Sequence, residues 1–469
     1  MSSERVVTVS RSVWSRQALE GYREMWRLAW PVSVSSATVM LAQIANLFWI
    51  GHLGTEAVAA VSLCSHVLFM AFGLTQIVSV SGVAVVARRI GEGDAREAFA
   101  ASVHAAVLGA ILGVIVGGAG WLGAGPLVAF FDTEPAVTRV AVPFLEITLA
   151  AHAFFFVSMA LGAAYHGMGD TRTPMIVSTA VVALNAILDP LLIFAPGELV
   201  VGGFDVGFLG LGLGVQGAAI SDVIATALGC FVFLALWLLD GPFPKAARGA
   251  VRIRPVELWR LLEIGIPASV SMLARPLSTF FLLKVIASFG TAPLAAFGIA
   301  LRAFSLNWIP YSGLNAAVAT LVGQRLGARD QGGAWRVVER GLALGTALGF
   351  AFCAAYVAWA EEFIAFFDAS PAVIAAGVPF LQMIAVGILF NGPALPMSAA
   401  MNGAGDTRPP MIAAFLANWP LKLPLAWALA IPFGLGVEGV WWGMFVSILA
   451  EAVALWLWFR RGRWTQTSV

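Results

Sequence analysis

Charged residues are scarce in this sequence. Asp, Glu, Lys and Arg make up 11% of the 469 residues, whereas 60% are apolar and the mean hydropathy is +0.88. A soluble chain of this length needs more polar surface than these residues can supply. The net charge of +1 provides no overall field that would attract nucleic acid. The composition therefore indicates a membrane protein whose partner is the lipid bilayer, with no nucleic acid partner.

Cysteine and histidine are too few and too scattered to suggest metal chemistry. Cys64, Cys230 and Cys353 lie singly within apolar runs, so we interpret them as buried packing residues. The five histidines show no spacing typical of a metal site. The sequence also has no Walker-type phosphate loop and no paired His and Glu on one helix. These absences argue against an ATP-driven pump, an enzyme and any cofactor beyond a coupling ion.

The chain repeats itself at an offset of 236 residues, as between residues 167 and 403. The run ARRIGEGD (87–94) returns as GQRLGARD (323–330), and GMGDTRTPMI (167–176) returns as GAGDTRPPMI (403–412). A duplicated hydrophobic bundle is typical of carriers, because two similar halves can rock about a site between them. Transport is therefore the first hypothesis.

Each half contains six apolar stretches long enough to cross a membrane. We predict spans at 28–50, 57–86, 97–121, 137–164, 173–195, 213–239, 260–287, 293–321, 335–359, 373–399, 409–432 and 436–459. Helices are required because lipid offers no partner for free backbone groups. The fold class is an all-α polytopic membrane protein with twelve transmembrane helices in two parallel-repeat six-helix lobes.

The predicted parts follow the order of these spans. They are an N-terminal segment (1–27), an N lobe (28–239), a linker (240–259), a C lobe (260–459) and a tail (460–469). Most of the 27 basic residues fall on the side of the first segment, the linker and the tail. By the positive-inside rule both termini are cytoplasmic. We expect a monomer in the cytoplasmic membrane of a prokaryote.

Two carboxylates lie at membrane depth in the first half, Asp189 on the fifth span and Asp222 on the sixth. Each charge costs roughly 2.5–3.5 kcal/mol on insertion scales, so we expect it to have a role. Asn185 shares a helix face with Asp189, and Pro190 frees nearby carbonyl groups. This oxygen-rich set suits Na⁺, and close carboxylates equally suit a proton. Alternatively, Asp222 is exposed or caps an outer helix end.

Basic residues at membrane depth distinguish the second half. Arg275 and Arg302 have three kinds of candidate partner: a helix end, an acid or an anionic substrate group. We favour structural pairing. For Lys284 and Lys422 the alternative to pairing is to extend toward a membrane interface.

Prolines at matched positions suggest places where helices bend. Pro31 and Pro267 are related by the repeat, and Pro190 follows Asp189 directly. Proline inside a span removes one backbone hydrogen bond and kinks the helix. We predict that these three residues are hinges, with ordinary packing kinks as the alternative.

Seven motifs together resemble one family of carriers. They are FWIGHLGTEAVAAV (48–61), VARRIGEGD (86–94), HGMGDTRTPMI (166–176), LNAILDPLLIF (184–194), GVQGAAIS (214–221), LVGQRLGARD (321–330) and NGAGDTRPPM (402–411). The chain resembles the multidrug and toxic compound extrusion (MATE) family over almost its whole length. The resemblance implies two six-helix lobes around a cleft. It also implies export of amphipathic, often cationic compounds in exchange for Na⁺ or H⁺.

The resemblance assigns the N-lobe cation site residue by residue. Asn185 and Asp189 match the site of archaeal and DinF-like members. Asn46 stands where many relatives have an Asp, and Asp222 stands where a Thr is more usual. We hypothesise that a carboxylate has moved between two walls of one site, which keeps two acids in total.

The resemblance also implies that a NorM-type C-lobe site is missing. Arg275 occupies the position of its seventh-span Glu, and Asn391 occupies the position of its tenth-span Asp. The chain therefore resembles DinF-like and archaeal members more than NorM-like ones. Arg275, Asn391 and Arg302 remain candidates for the substrate cleft. Arg275 and Arg302 also keep open an alternative of the same superfamily fold, a flippase of lipid-linked oligosaccharides.

Overall fold

The computed structural model describes residues 16–198, 200–201, 204–205, 210–239, 243, 249 and 251–467. Almost all of this part is helical. Eleven of its helices are long and apolar enough to cross a membrane, and a bent pair counted as one span supplies the twelfth. The chain is a multi-pass membrane protein of the predicted fold class.

The helices form two groups in chain order. The N lobe consists of α1 (Arg16–Gly51), α2 (Thr55–Gly91), α3 (Ala95–Ala129), α4 (Pro135–Ala150), α5 (His152–Met168), α6 (Arg172–Ile193) and α7 (Val215–Leu239). The C lobe consists of α8 (Pro255–Ala287), α9 (Thr291–Gly327), α10 (Gln331–Ala358), α11 (Ala360–Phe367), α12 (Pro371–Gly403), α13 (Arg408–Leu416), a π-helix (Ala417–Leu421), α14 (Lys422–Ala430), α15 (Gly436–Arg460) and a 3₁₀ turn (Arg463–Gln466). Between α6 and α7 lies a short antiparallel pair, β1 (Val200–Val201) and β2 (Phe204–Asp205).

Two spans are less regular than the sequence predicts. The fourth is predicted as one helix over 137–164, but α4 and α5 meet at Ala151 with a bend of 46°. The eleventh is predicted over 409–432, and the π-helix interrupts it at Ala417–Leu421. Pro420 lies in that π-helix and has no N–H to donate to the helical ladder. Both irregularities stay inside a predicted span, so the number of spans is unchanged.

The helix ends also differ from the predicted domain bounds. Helix α1 begins at Arg16, inside the predicted segment 1–27, and α8 begins at Pro255, inside the predicted linker 240–259. Residues 1–15, 468–469 and, within the linker, 240–242, 244–248 and 250 lie outside the described residues. The cytoplasmic assignment of these parts therefore stays a prediction.

Aspartates in the repeated motifs cap the following helices. Asp94 accepts hydrogen bonds from two backbone N–H groups of α3, at 3.1 and 3.0 Å. Its repeat counterpart Asp330 accepts one from Gly333 of α10 at 2.7 Å. Asp170 accepts two from the first turn of α6, at 3.0 and 3.1 Å. These bonds satisfy N–H groups that have no partner within the helix. The motif aspartates thus serve helix formation.

The lobes contact each other chiefly through α1 and α2 of one and α8 and α9 of the other. At the ends predicted to be cytoplasmic, the Gln324 amide donates to the backbone carbonyl of Gly167 at 2.9 Å. Arg325 pairs there with Glu24 at 3.2 Å. This end of the lobe interface is closed.

Two glycine contacts at that end show how the lobes are related. Gly91 lies against the backbone carbonyl of Gln324, with no room for a Cβ atom. Gly327 lies in the same way against the carbonyl of Arg88. The repeat offset converts one contact into the other. The two halves are therefore related by an approximate two-fold axis that passes between the ends of α2 and α9.

A second pair of contacts obeys the same symmetry. Gly313 of α9 lies against the carbonyl of Ala29 in α1, and Gly265 of α8 lies against the carbonyl of Ile77 in α2. These contacts are again exchanged by the repeat offset. Glycine allows the backbones of helices from different lobes to approach closely. Each contact lies two residues from one of the predicted hinges, Pro31 and Pro267.

Candidate ion and substrate sites

The N-lobe site centres on Asp189. Its side chain lies inside the lobe on α6, and the residue is 1% exposed. Ser221 of α7 donates to Oδ1 at 2.6 Å, and Asn46 of α1 donates to Oδ2 at 3.3 Å. In the part of the chain that the structure describes, no basic side chain forms an ion pair with this carboxylate. Both of its oxygens are therefore held by neutral donors.

Asn185 joins the site through Ser221. Its Nδ2 donates to the Ser221 hydroxyl at 3.0 Å, one turn before Asp189 on the same helix. Asn185 was predicted from the sequence, whereas Ser221 was not. Ser221 ends the GVQGAAIS motif and precedes Asp222. A neutral hydroxyl costs little free energy in an apolar helix, so its presence there does not by itself indicate a function. The N-lobe cluster is therefore Asn46, Asn185, Asp189 and Ser221.

Asp222 lies beside the N-lobe cluster without joining its hydrogen bonds. It follows Ser221 on the second turn of α7, and its side chain is exposed. It directly follows Ser221, whose hydroxyl donates to Asp189. The exposed position matches one half of the alternative given above, and the place next to Ser221 keeps Asp222 a candidate for the ion site.

Pro190 follows Asp189 inside α6 and is buried. Because proline has no N–H, the carbonyl of Ala186 loses its helical partner. The Ser221 hydroxyl also lies 3.3 Å from the backbone oxygen of Asn185, so carboxylate, hydroxyl and backbone oxygens meet between α6 and α7, with the Asn46 amide beside them. Hard cations such as Na⁺ prefer oxygen ligands, and a buried carboxylate can equally take up a proton. The site has the chemistry for either ion.

The C lobe holds a second polar cluster on the matching helices. Arg275 of α8 makes two hydrogen bonds to Glu451 of α15, from Nε to Oε2 at 3.2 Å and from Nη2 to Oε1. Asn418 in the π-helix donates to the same Oε2 at 3.1 Å. Lys422 donates to Oδ1 of Asn418 at 2.9 Å and to Oγ1 of Thr279 at 3.3 Å. We call these five residues the C-lobe cluster.

Burial distinguishes the two lysines for which extension to a membrane interface was the alternative to pairing. Lys422 is 3% exposed, so it lies within the lobe and does not extend to a membrane interface. Lys284 is exposed in the last turn of α8, as an interfacial lysine would be. Arg275 lies against an acid, the arrangement favoured from the sequence.

Arg302 and Asn391 stay outside the C-lobe cluster. Arg302 is exposed on α9, and its guanidinium lies over the Phe367 ring at 5.8 Å. Asn391 is half-buried on α12. Within the described ranges, neither forms a hydrogen bond with Glu451 or Lys422. Their assignment to a substrate cleft stays a prediction.

A duplicated bundle with twelve apolar spans and a buried polar cluster in each lobe defines a membrane carrier. Comparison with known families agrees. The model of the MatE family matches residues 31–191 and 267–428, once in each half. This chain belongs to the MatE family of transporters.

Individual relatives cover nearly the whole chain. A probable multidrug resistance protein NorM of Thermotoga maritima is 25% identical over 95% of this chain and 94% of its own. A probable multidrug resistance protein YoeA of Bacillus subtilis is 24% identical over 94% of this chain and 93% of its own.

A solved structure supports the fold. A multidrug resistance MATE family transporter in an outward-facing conformation superposes with a TM-score of 0.84 at 22% identity, covering 95% of this chain and 97% of that one. At this identity the likeness establishes the fold alone. Kinship with DinF-like rather than NorM-like members stays a prediction.

Proposed function

We propose that this chain exports amphipathic, cationic organic compounds in antiport with H⁺ or Na⁺, and that it works by alternating access. The transporter family and the multidrug resistance names of the relatives support this proposal. The proposal includes a prokaryotic cytoplasmic membrane with both termini on the cytoplasmic side. In that orientation the closed end of the lobe interface faces the cytoplasm.

One observation carries the ion-coupling part, namely the surroundings of Asp189. A buried carboxylate needs an opposite charge or a proton, because a bare charge away from water is strongly disfavoured. Among the described residues its hydrogen-bond donors are the neutral side chains of Asn46 and Ser221. A mobile cation or a proton therefore supplies the missing charge.

Helix α1 connects the ion site to the lobe interface. It carries Asn46, which donates to Asp189, and, ten residues earlier, Ser36, whose hydroxyl lies 2.7 Å from that of Ser312 in α9. Pro31 lies inside the same helix. An ion that changes the contact between Asn46 and Asp189 can thus shift α1 against the C lobe. Coupling requires only that ion and substrate favour different states.

The N lobe is proposed to carry the coupling. Arg275 and Asn391 replace the acids of a NorM-type C-lobe site, and Arg275 is held by Glu451. This supports the DinF-like assignment. The flippase alternative is less well supported, because the relatives carry multidrug resistance names and Arg302 stacks on Phe367.

Efflux of a cationic dye from proteoliposomes tests the proposal. A sodium gradient and a proton gradient are imposed separately on wild-type protein, Asp189→Asn and Asp132→Asn. Asp132 is the matched control, because it lies in a turn outside the cluster and its φ of 49° also suits asparagine. We expect Asp189→Asn to abolish gradient-driven efflux and Asp132→Asn to retain it.

Two outcomes would reject the proposal. Wild-type efflux in Asp189→Asn would remove the coupling role of this carboxylate. Dye movement that responds to neither gradient would reject antiport and favour lipid flipping.

A further inference from the structure

The C-lobe cluster and the N-lobe cluster occupy corresponding helices but carry opposite charge. The N-lobe cluster lies on α1, α6 and α7, and the C-lobe cluster lies on α8, the segment from the π-helix to α14, and α15. Asn185 precedes Asp189 by four residues, and Asn418 precedes Lys422 by four residues. The repeat offset of 236 would place the counterparts of Asn185 and Asp189 at 421 and 425. Asn418 and Lys422 lie three residues earlier, which is about one helical turn.

The charges of the C-lobe cluster do not balance. Glu451 is its single acid, and both carboxylate oxygens already accept hydrogen bonds from Arg275 and Asn418. Lys422 is 3% exposed. Among the residues described here, its ammonium group reaches only the neutral oxygens of Asn418 and Thr279. Two basic side chains share one carboxylate, so Lys422 has no acidic partner among the described residues, and a protonated Lys422 carries a positive charge that no carboxylate compensates.

Such a charge is costly unless an anion balances it. Buried charges in proteins are paired, and at membrane depth they line substrate or ion pathways. The π-helix adds a second indication, because these rare turns occur frequently at functional sites. Here the π-helix carries Asn418 and directly precedes Lys422.

Arg275 provides access to the C-lobe cluster. Its side chain is 39% exposed, whereas that of Glu451 is 8% exposed. It shares a helix face with Thr279, which contacts buried Lys422, so the exposed guanidinium lies next to the buried part of the C-lobe cluster. Its Nη1 makes no hydrogen bond with any described residue. An arginine edge of this kind binds carboxylates well.

We propose that the C-lobe cluster binds a carboxylate of the transported compound, with Arg275 and Lys422 as the binding residues. Zwitterionic amphiphiles then fit the two lobes, with the cationic group toward Asp189 and Asp222 and the acidic group toward Arg275 and Lys422. This inference rests on the proposed export function and specifies its substrate class.

The test compares two forms of one dye. Binding to purified protein is measured in a neutral detergent, without any gradient, for a cationic xanthene dye with a free carboxyl group and for its methyl ester. Lys422→Met should weaken binding of the free acid by about tenfold or more and change binding of the ester by less than about twofold. Lys422→Arg should keep the preference. Lys284→Met is the matched control, because Lys284 is exposed, and it should change neither affinity.

Equal losses for both dyes, or no loss for either, would overturn the proposal. A competition with wild-type protein keeps the proposal testable if Lys422→Met does not fold. An aromatic carboxylate should displace the free acid dye and leave the ester bound, whereas its uncharged amide should displace neither. Displacement of both dyes, or of neither, would overturn the proposal. Because no gradient is used, these results are independent of whether the chain couples transport to an ion.

Discussion

The hydroxyl of Ser221 donates to Oδ1 of Asp189 at 2.6 Å and connects α7 to the buried carboxylate of α6. A hydrogen bond to a charged group contributes about 1.5–3 kcal/mol. The hydroxyl stabilises the ionised form of Asp189, so we expect Ser221→Ala to lower the proton concentration needed for half-maximal dye efflux by about tenfold or more. The measurement is efflux against a series of driving-ion concentrations.

Ser102→Ala is the matched control for Ser221→Ala. Ser102 is also buried, but its hydroxyl donates to the carbonyl of Phe99 in its own helix, at 2.7 Å. We expect its ion dependence to equal that of the wild type. An unchanged ion dependence in Ser221→Ala would show that this hydroxyl does not shape the ion site.

Asp222 tests whether the site needs two acids. We expect Asp222→Thr to reduce coupled efflux about as much as Asp189→Asn does, because the carboxylate that replaces the missing first-span acid is lost. The double variant Asn46→Asp with Asp222→Thr should recover coupling, since Asn46 already lies 3.3 Å from Asp189. Gradient-driven efflux is the readout. Full activity in Asp222→Thr alone would reject the hypothesis of an exchanged carboxylate.

The sequence predicted the spans and the acid at the centre of the site, because apolar runs and buried charges have large energetic effects. It did not predict the bend at Ala151, since 137–164 reads as one apolar run and the bend depends on packing. Ser221 was missed because its polarity is small. Burial of Lys422 was missed because it depends on Asn418 and Thr279, which come from different helices.

Close packing at Gly327 is predicted to stabilise the closed end of the lobe interface. A Cβ atom there would meet the backbone carbonyl of Arg88. Gly327→Ala should therefore lower the melting temperature in detergent, because overpacking costs about 1–3 kcal/mol.

Gly298→Ala is the matched control on the same helix, since a Cβ atom there meets nothing within 4 Å. Alanine favours helix by about 1 kcal/mol over glycine, so this variant should melt at the same or a higher temperature. Equal melting temperatures for the two variants would contradict this assignment.

Asp170 of the GDTR motif is predicted to act through helix capping rather than through the ion. Its carboxylate accepts two backbone hydrogen bonds of α6 and a third from the Thr173 hydroxyl at 2.6 Å. Asp170→Ala should destabilise the protein by about 0.5–2 kcal/mol, while its ion dependence of efflux stays that of the wild type. Thermal unfolding and efflux per folded protein separate the two effects. A changed ion dependence with unchanged stability would contradict this prediction.

Two aspartates in loops between helices are predicted to give opposite pH responses. Burial raises the pKa of Asp406 above its ordinary value, although Arg408 opposes the shift. The backbone N–H of Ser370 donates to Asp368 at 2.9 Å and lowers the pKa of that carboxyl. A carboxyl whose pKa is raised by folding contributes stability at pH values below its pKa in the unfolded chain. This contribution is lost as the pH rises through its pKa in the folded protein. A carboxyl whose pKa is lowered by folding contributes stability at pH values above its pKa in the unfolded chain. This contribution is lost as the pH falls through its pKa in the folded protein.

Replacing each acid by its amide isolates these contributions. The melting temperature of Asp406→Asn minus that of wild type should be more positive at neutral pH than at a pH near the ordinary pKa of an aspartate, which is about 3.9. Asp368→Asn should show the reverse, with its larger deficit at neutral pH, because the amide cannot replace the charged acceptor of the Ser370 N–H. Melting temperatures of the three proteins across this pH range provide the measurement. If the melting temperatures of both variants follow that of wild type at a constant difference across this pH range, the prediction is contradicted. The two variants are expected to differ from wild type in opposite directions, because Asp406 is buried and Asp368 accepts a hydrogen bond.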